Sequence, residues 1–184
     1  MNLERALAIS DYQCEERTAE ITWLAQHAST RKVIVEVGCW KGCTTRALAD
    51  NTSGLVYAVD TWQGNPDHPE AWQGTPGHSE EELFGQFKKN VADLSNLWIL
   101  KLFSIEAAAY LSVYAGKKFQ ADLIFLDASH DYENVKKDIL AWRPLLAPGG
   151  LLCGHDRQWM GVSQAIDELL PGHQVGVGAI WYAA

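Results

Sequence analysis

Residues 31–60 constrain this chain more than any other stretch; they read RKVIVEVGCWKGCTTRALADNTSGLVYAVD. An apolar run through Val33, Ile34, Val35 and Val37 ends at Gly38-Cys39-Trp40-Lys41-Gly42. A helical segment follows, and a second apolar run from Leu55 to Val59 closes on Asp60. A strand, a glycine-bearing turn, a helix and a second strand with a carboxylate at its tip form a unit that usually holds a nucleoside-containing cofactor. Gly38 and Gly42 are spaced G-x-x-x-G, whereas backbone contact with a pyrophosphate calls for G-x-G-x-x-G. Trp40 is too bulky for that contact, and Glu36 would repel a diphosphate while attracting a methionyl ammonium. The unit therefore points to S-adenosylmethionine, with Asp60 accepting from both ribose hydroxyls. The structural alternative makes Glu36 a helix cap and Asp60 a turn residue.

Beyond that unit, strands and helices alternate. Residues 3–28 have helical spacing, as one broken helix or two. Residues 80–94 carry Leu83, Phe84, Phe87 and Val91 on one helical face. Trp98 to Leu102 reads as a short strand, and Ser104 suits the N-cap of the next helix, because its hydroxyl can accept from first-turn amides. Ala121 to Leu126 is almost continuously apolar, as a strand covered on both faces should be, and delivers Asp127-Ala128-Ser129-His130. Pro148-Gly149-Gly150 turns the chain into Leu151–Cys153, which leads to His155-Asp156. The pattern predicts an α/β fold: a Rossmann-like, doubly wound, mostly parallel sheet with helices on both faces and an antiparallel last strand. A single domain over 1–184 is expected, with an N-terminal helical segment at 1–30 and a lid-like loop at 61–79. Ligands in such sheets bind beyond the strands' carboxyl ends, where all three polar clusters of this sequence fall.

Composition narrows the partners. A formal charge of −8 without a clustered basic stripe argues against nucleic acid. No run approaches the roughly 20 apolar residues of a membrane span, and the acidic N-terminus is no signal peptide. The four cysteines form no CxxC pair and read as small thiols. A soluble, reducing, cytoplasmic setting is expected.

The residues from Val33 to Asp156 resemble the class I S-adenosylmethionine-dependent methyltransferases. Within these the chain is similar to the macrocin-type sugar O-methyltransferases and, more distantly, to the metal-dependent catechol-type enzymes. The resemblance rests on Val35-Glu36-Val37-Gly38-Cys39-Trp40-Lys41-Gly42, Val59-Asp60-Thr61-Trp62, Phe125-Leu126-Asp127-Ala128-Ser129-His130-Asp131-Tyr132 and Gly154-His155-Asp156. It implies that Glu36, Gly38 and Gly42 line the methionine end of the cofactor, with Trp40, Thr61 and Asp127 also against it. By the same likeness Asp60 holds the ribose and Ser104 sits near the adenine. Trp62 either stacks on that base or packs in the core. Relatives often carry an acid just before this serine, and Phe103 stands there instead.

The resemblance also implies O-methylation of a small sugar or polyhydroxylated acceptor, with His130 as general base and Asp127 as a metal ligand. A neutral imidazole can take a hydroxyl proton near pH 7, and a divalent ion can lower that hydroxyl's pKa. Where relatives offer another carboxylate or amide, this chain has His155. Three readings stay open: magnesium on Asp127 and Asp156 with waters, which comes first; a softer metal that includes His155; or no metal. Relatives are often oligomers, and a homodimer is expected. Two further readings compete. One is a non-catalytic S-adenosylmethionine-binding module. The other is a short-chain-dehydrogenase-like oxidoreductase, suggested by Tyr132-x-x-x-Lys136.

Overall fold

A computed structural model describes residues 1–9, 14–64, 79–114 and 119–183. Seven strands form one sheet in the order β3-β2-β1-β4-β5-β7-β6. They are β1 (Val33–Val37), β2 (Leu55–Asp60), β3 (Leu97–Lys101), β4 (Ala121–Leu126), β5 (Leu146–Gly154), β6 (Gln174–Val175) and β7 (Trp181–Ala183). The first five are parallel, while β7 runs antiparallel to both β5 and β6. The expected doubly wound sheet is thus present. The chain builds outward from β1 through β2 to β3, then crosses back to β4 and β5. The strand order therefore reverses between β1 and β4, where an open sheet leaves a crevice at its carboxyl edge.

Helices cover both faces. Helices α5 (Ser104–Tyr114), α6 (Tyr132–Trp142) and α7 (Met160–Leu169) bury Leu111, Ile139, Trp142 and Ile166 against Val35, Val37, Ile124 and Leu126. On the other face α2 (Glu15–Ala28) and α3 (Cys43–Asn51) set Leu24 and Leu48 on Ile34, Leu123 and Phe125. The short α1 (Glu4–Leu7) packs through Ala6 near Ile21 and Ala47. Helix α4 (Glu80–Val91), started by a Ser79–Glu82 capping box, closes a third cluster with Trp62 through Leu83 and Phe87.

Two boundaries differ from the sequence reading for physical reasons. Pro148-Gly149-Gly150 does not precede β5 but lies within it. The register against β4 jumps from Ala121–Leu146 to Leu123–Leu151, so the prolyl residue, which has no N–H to donate, rides in the irregularity. Ser104 is not the cap of α5. Phe103 occupies that position, its carbonyl accepting from Ala107 N and its N–H donating to Glu106 Oε2 at 3.3 Å. Of the expected 61–79 loop, residues 65–78 lie outside the described residues. Among the described residues no helix is long and apolar enough to cross a membrane.

Candidate active site

The crevice at the β1/β4 reversal opens into a cleft of about 1090 Å³. Its floor is the turn after β1. Gly38 has φ +91, and a Cβ there would stand 2.1 Å from the Asp127 carbonyl oxygen, so only glycine lets the tips of β1 and β4 meet. Asp127 N donates to Val37 O at 2.8 Å and locks that contact.

Asp60 organises the turn from the neighbouring strand. Its Oδ2 accepts from Cys39 N at 2.7 Å and Trp40 N at 2.9 Å, and its Oδ1 from Trp62 N at 2.7 Å. Trp40 and Trp62 both hold positive φ, 50° and 55°, a conformation that costs a non-glycine residue about 1–2 kcal/mol. The carboxylate bonds secure these two strained residues. A carboxylate offers about four lone-pair sites, so acceptor capacity remains on Asp60 beside its three backbone bonds. Trp62 is 2% exposed, donates from Nε1 to Trp40 O at 2.8 Å, and packs on Phe84 and Phe87. Of the two readings of this side chain the structure gives the packed one, with Trp62, Trp40 and Thr61 all contributing to the cleft wall.

Glu36 departs from its expected place. Strand pleating alternates side chains, so Val35 and Val37 face α5–α7 while Glu36, like Ile34, faces the α2–α3 layer. Its carboxyl is fully buried, accepts from the Thr45 hydroxyl through Oε2, and keeps Oε1 without a hydrogen-bond partner. Burial pushes its pKa up to about 8, against the bond from Thr45, with the Asp127 charge adding to the rise. Glu36 is therefore a neutral strut behind the turn, not part of the cleft wall. Gly42 is likewise behind the wall, as the left-handed N-cap of α3 against Phe87.

At the adenine side, Ser104 and Phe103 line the cleft. The Ser104 hydroxyl donates to Asp138 Oδ1 at 2.5 Å and accepts from Trp142 Nε1 at 2.9 Å. Its donor is thus engaged within the fold. Burial raises Asp138 to about 6, against the Ser104 bond. Phe103 is 57% exposed and offers a ring face.

The opposite end gathers the ionisable groups. Asp127, His130 and Asp156 bring potential ligand atoms within 4.8 Å of one another. His130 Nε2 lies 2.8 Å from Asp156 Oδ2, and its ring stacks on Trp159 with centroids 5.0 Å apart. Asp156 has φ +59, a left-handed conformation that aspartate tolerates better than most residues. Burial alone would raise Asp156, but hydrogen bonds from His130 and His155 hold it well below the usual carboxylate range. An ionised Asp156 only accepts, so the hydrogen of that bond sits on His130 Nε2. Burial raises Asp127 to about 6, with Asp156 adding to the rise and His155 opposing it.

His155 sits with its Nδ1 3.2 Å from Asp156 Oδ2 and 3.7 Å from Asp127 Oδ1, and its Nε2 3.0 Å from Glu20 Oε2. Burial would lower its pKa, but the Asp127 charge and the Asp156 bond outweigh it and carry it to about 10. Glu20 and Arg17, both on α2, were not picked out from the sequence. Arg17 reaches the cleft beside the turn, donating to Thr44 Oγ1 at 3.0 Å. The available signal was an acid inside the apolar stripe of α2, since Glu20 precedes Ile21 and stands four before Leu24. The Tyr132–Lys136 pair lies off the cleft wall. Lys136 Nζ donates to Tyr132 OH at 2.8 Å and to Glu168 Oε1 at 2.7 Å, and the tyrosine also donates to Glu168, so the pair ties α6 to α7.

A family profile described as a methyltransferase domain matches residues 35–157, which spans the turn, Asp60, Asp127–His130 and His155–Asp156. The chain belongs to this family, and it is an S-adenosylmethionine-dependent methyltransferase of the class I fold. No curated protein matches it. Among solved structures it is similar to CalS11, a calicheamicin methyltransferase, at TM-score 0.67 and 15% identity over 98% of this chain and 88% of that one. An O-methyltransferase from Bacillus cereus, in complex with SAH, aligns at TM-score 0.64 and 17% identity over 98% and 89%. The O-methyltransferase NovP aligns at 0.62 and 18% over 91% and 78%. These likenesses show the fold.

Proposed function

We propose that the chain methylates a hydroxyl of a small sugar or other polyhydroxylated molecule, with His130 as general base. The observation that carries this reading is the His130 Nε2–Asp156 Oδ2 bond of 2.8 Å at the strand tips, on the wall of the cleft. S-adenosylmethionine supplies a methyl group on a sulfonium, transferred by in-line displacement. The donor set suits it: one lone pair of Asp60 for a ribose hydroxyl, the exposed ring of Phe103 for the base, and Arg17 with Asp127 at the charged methionine end. In the acceptor half, His130 takes the hydroxyl proton as the oxygen–carbon bond forms and the carbon–sulfur bond breaks. Asp156 fixes the tautomer and stabilises the imidazolium that results, as a carboxylate behind a base does in acyl transfer. Sugar acceptors are in keeping with a structural neighbour described as a TDP-rhamnose 3'-O-methyltransferase.

The test is release of S-adenosylhomocysteine in the presence of a panel of sugars, sugar nucleotides and phenols. His130→Ala is expected to lower kcat about 10²–10⁴-fold while calorimetric affinity for S-adenosylhomocysteine stays unchanged. Turnover that survives the substitution would remove His130 as the base. Cofactor binding with no transfer to any acceptor would favour a non-catalytic binding module.

A further inference from the structure

Helix α6 turns one face inward, with Val135, Asp138, Ile139 and Trp142 at helical spacing along it. Three of these side chains are apolar and packed into the core between α5–α7 and the sheet. The fourth is a carboxyl group, 7% exposed, on the wall of the cleft. Burying a carboxyl group is costly unless its oxygens are bonded, and within the fold only one of them is. Oδ1 accepts from the Ser104 hydroxyl at 2.5 Å. Oδ2 takes no hydrogen bond from any described residue and is not enclosed, so it opens on the cleft.

Ser104 sets this carboxyl group beside the first turn of α5. Trp142 Nε1 only donates, and an ionised Asp138 only accepts, so the serine hydrogen goes to Oδ1 while its oxygen receives the indole at 2.9 Å. Holding Ser104 needs one acceptor oxygen, which asparagine would supply equally well. In the same turn Phe103 N donates to Glu106 Oε2, and Phe103 O accepts from Ala107 N. The N–H groups of Ser104 and Ile105, which also line the cleft, have no partner among the described residues. An acceptor oxygen and backbone donors therefore stand together at the β3 end of the cleft.

S-adenosylmethionine has to lie along this cleft. Its charged methionine end is drawn to the ionisable groups at the tips of β4 and β5, and its ribose to Asp60. That leaves the β3 end, where Phe103 and Ile105 are 57% and 43% exposed, for the apolar faces of the base. Adenine presents an amino donor at position 6 next to an acceptor, N1, on one edge. Those two groups are the complement of a carboxylate oxygen beside a backbone N–H.

We propose that the adenine lies at the β3 end of the cleft with its 6-amino group donating to Asp138 Oδ2 and its N1 accepting from the first turn of α5, so that Asp138 sets the choice of base. The proposal shares with the function proposed above only the placement of the base at Phe103. Its test reads binding without turnover, so its failure and the failure of His130 as the base are separate results.

The probes are S-adenosylhomocysteine and S-inosylhomocysteine, titrated by calorimetry into the full chain at a pH well above the value of about 6 to which burial raises Asp138. Inosine carries a carbonyl at position 6 and a hydrogen on N1, the reverse of the adenine pattern. The wild-type chain is expected to bind the adenosyl ligand about 10²-fold more tightly. In Asp138→Asn the amide oxygen stays with the Ser104 hydroxyl and the NH₂ takes the place of Oδ2. The adenosyl ligand should then lose about 10–100-fold in affinity, while the inosyl ligand holds or gains, because the amide can donate to its carbonyl. A merely structural role would shift both ligands by the same factor, or neither, and that result overturns the proposal. Equal binding of the two ligands by the wild-type chain also overturns it. Should Asp138→Asn fail to fold, the wild-type chain is titrated with the analogue that lacks the 6-amino group. A loss of about tenfold or more supports the proposal, and an affinity equal to that of S-adenosylhomocysteine overturns it.

Discussion

Asp60→Asn tests whether the residue at the tip of β2 builds the turn after β1. In the structure its carboxylate receives three backbone N–H groups, from Cys39, Trp40 and Trp62 at 2.7, 2.9 and 2.7 Å. A hydrogen bond to a charged acceptor contributes about 1.5–3 kcal/mol net. Asparagine has one acceptor oxygen. Turned toward Cys39 and Trp40 it keeps two bonds, now neutral and about half as strong, and sets its NH₂ against the Trp62 N–H. The lost charged bond and the donor left unsatisfied together cost about 3 kcal/mol. Trp62 then has to hold φ +55 without its local partner, which leaves the strain of that conformation to side-chain packing. A chain of this size shifts its Tm by about 2–4 °C per kcal/mol, which places the change at roughly 6–12 °C. Urea unfolding of the cofactor-free chain, followed by far-ultraviolet circular dichroism, measures it directly. If Asp60 served the ribose alone, the cofactor-free stability would stay within about 0.5 kcal/mol of wild type and only S-adenosylhomocysteine affinity would fall. That result would refute the argument that Asp60 builds the turn.

Other outcomes follow from the buried groups. Glu36 rises from 4.5 to about 8 on folding, so the native state binds its proton more tightly. The stability it contributes is complete below pH 4.5 and is lost as pH rises through about 8. Glu36→Gln should flatten the pH dependence across that window and leave the chain more stable than wild type at alkaline pH; equal slopes in chemical denaturation from acid to alkaline pH would contradict this. Trp62→Ala should cost about 3–5 kcal/mol by emptying a fully packed site, and Trp62→Phe much less, chiefly its bond to Trp40 O; equal losses on thermal melting would mean that the ring volume is not what counts. Tyr132→Phe should leave S-adenosylhomocysteine affinity unchanged by calorimetry, because the Tyr132–Lys136–Glu168 cluster lies off the cleft wall. A loss of affinity would place that cluster in the cofactor site.

Much of the fold was legible because the signals are local. Apolar strands alternating with amphipathic helices announce a parallel sheet, and β1 with its glycine turn, α3 and β2 with Asp60 at its tip appear where residues 31–60 place them. The strand-tip clusters at Asp127–His130 and His155–Asp156 could also be read, because carboxyl ends of parallel strands converge. What local pattern does not carry is which face a side chain takes and what it meets. Glu36 looked like a cleft carboxylate, yet strand parity turns it toward Thr45. Ser104 looked like a cap, yet Phe103 holds that position and the Ser104 hydroxyl donates across to Asp138. Glu20 and Ala179 are bonded although they stand far apart in the chain, and no spacing rule links them.

The amino-acid sequence by itself determined the class of sheet, the glycine turn after β1 and the polar clusters at the strand ends, because periodicity and glycine spacing act within a few residues. Only the tertiary structure decided that Asp60 is the staple of that turn, that Glu36 stands behind it, and that His155 is held between Glu20 and the two cleft aspartates. Those roles depend on groups brought together from α2, β4, β5 and the turn before β7. Desolvation and charge act through space, and space is assigned only once the sheet has closed its order.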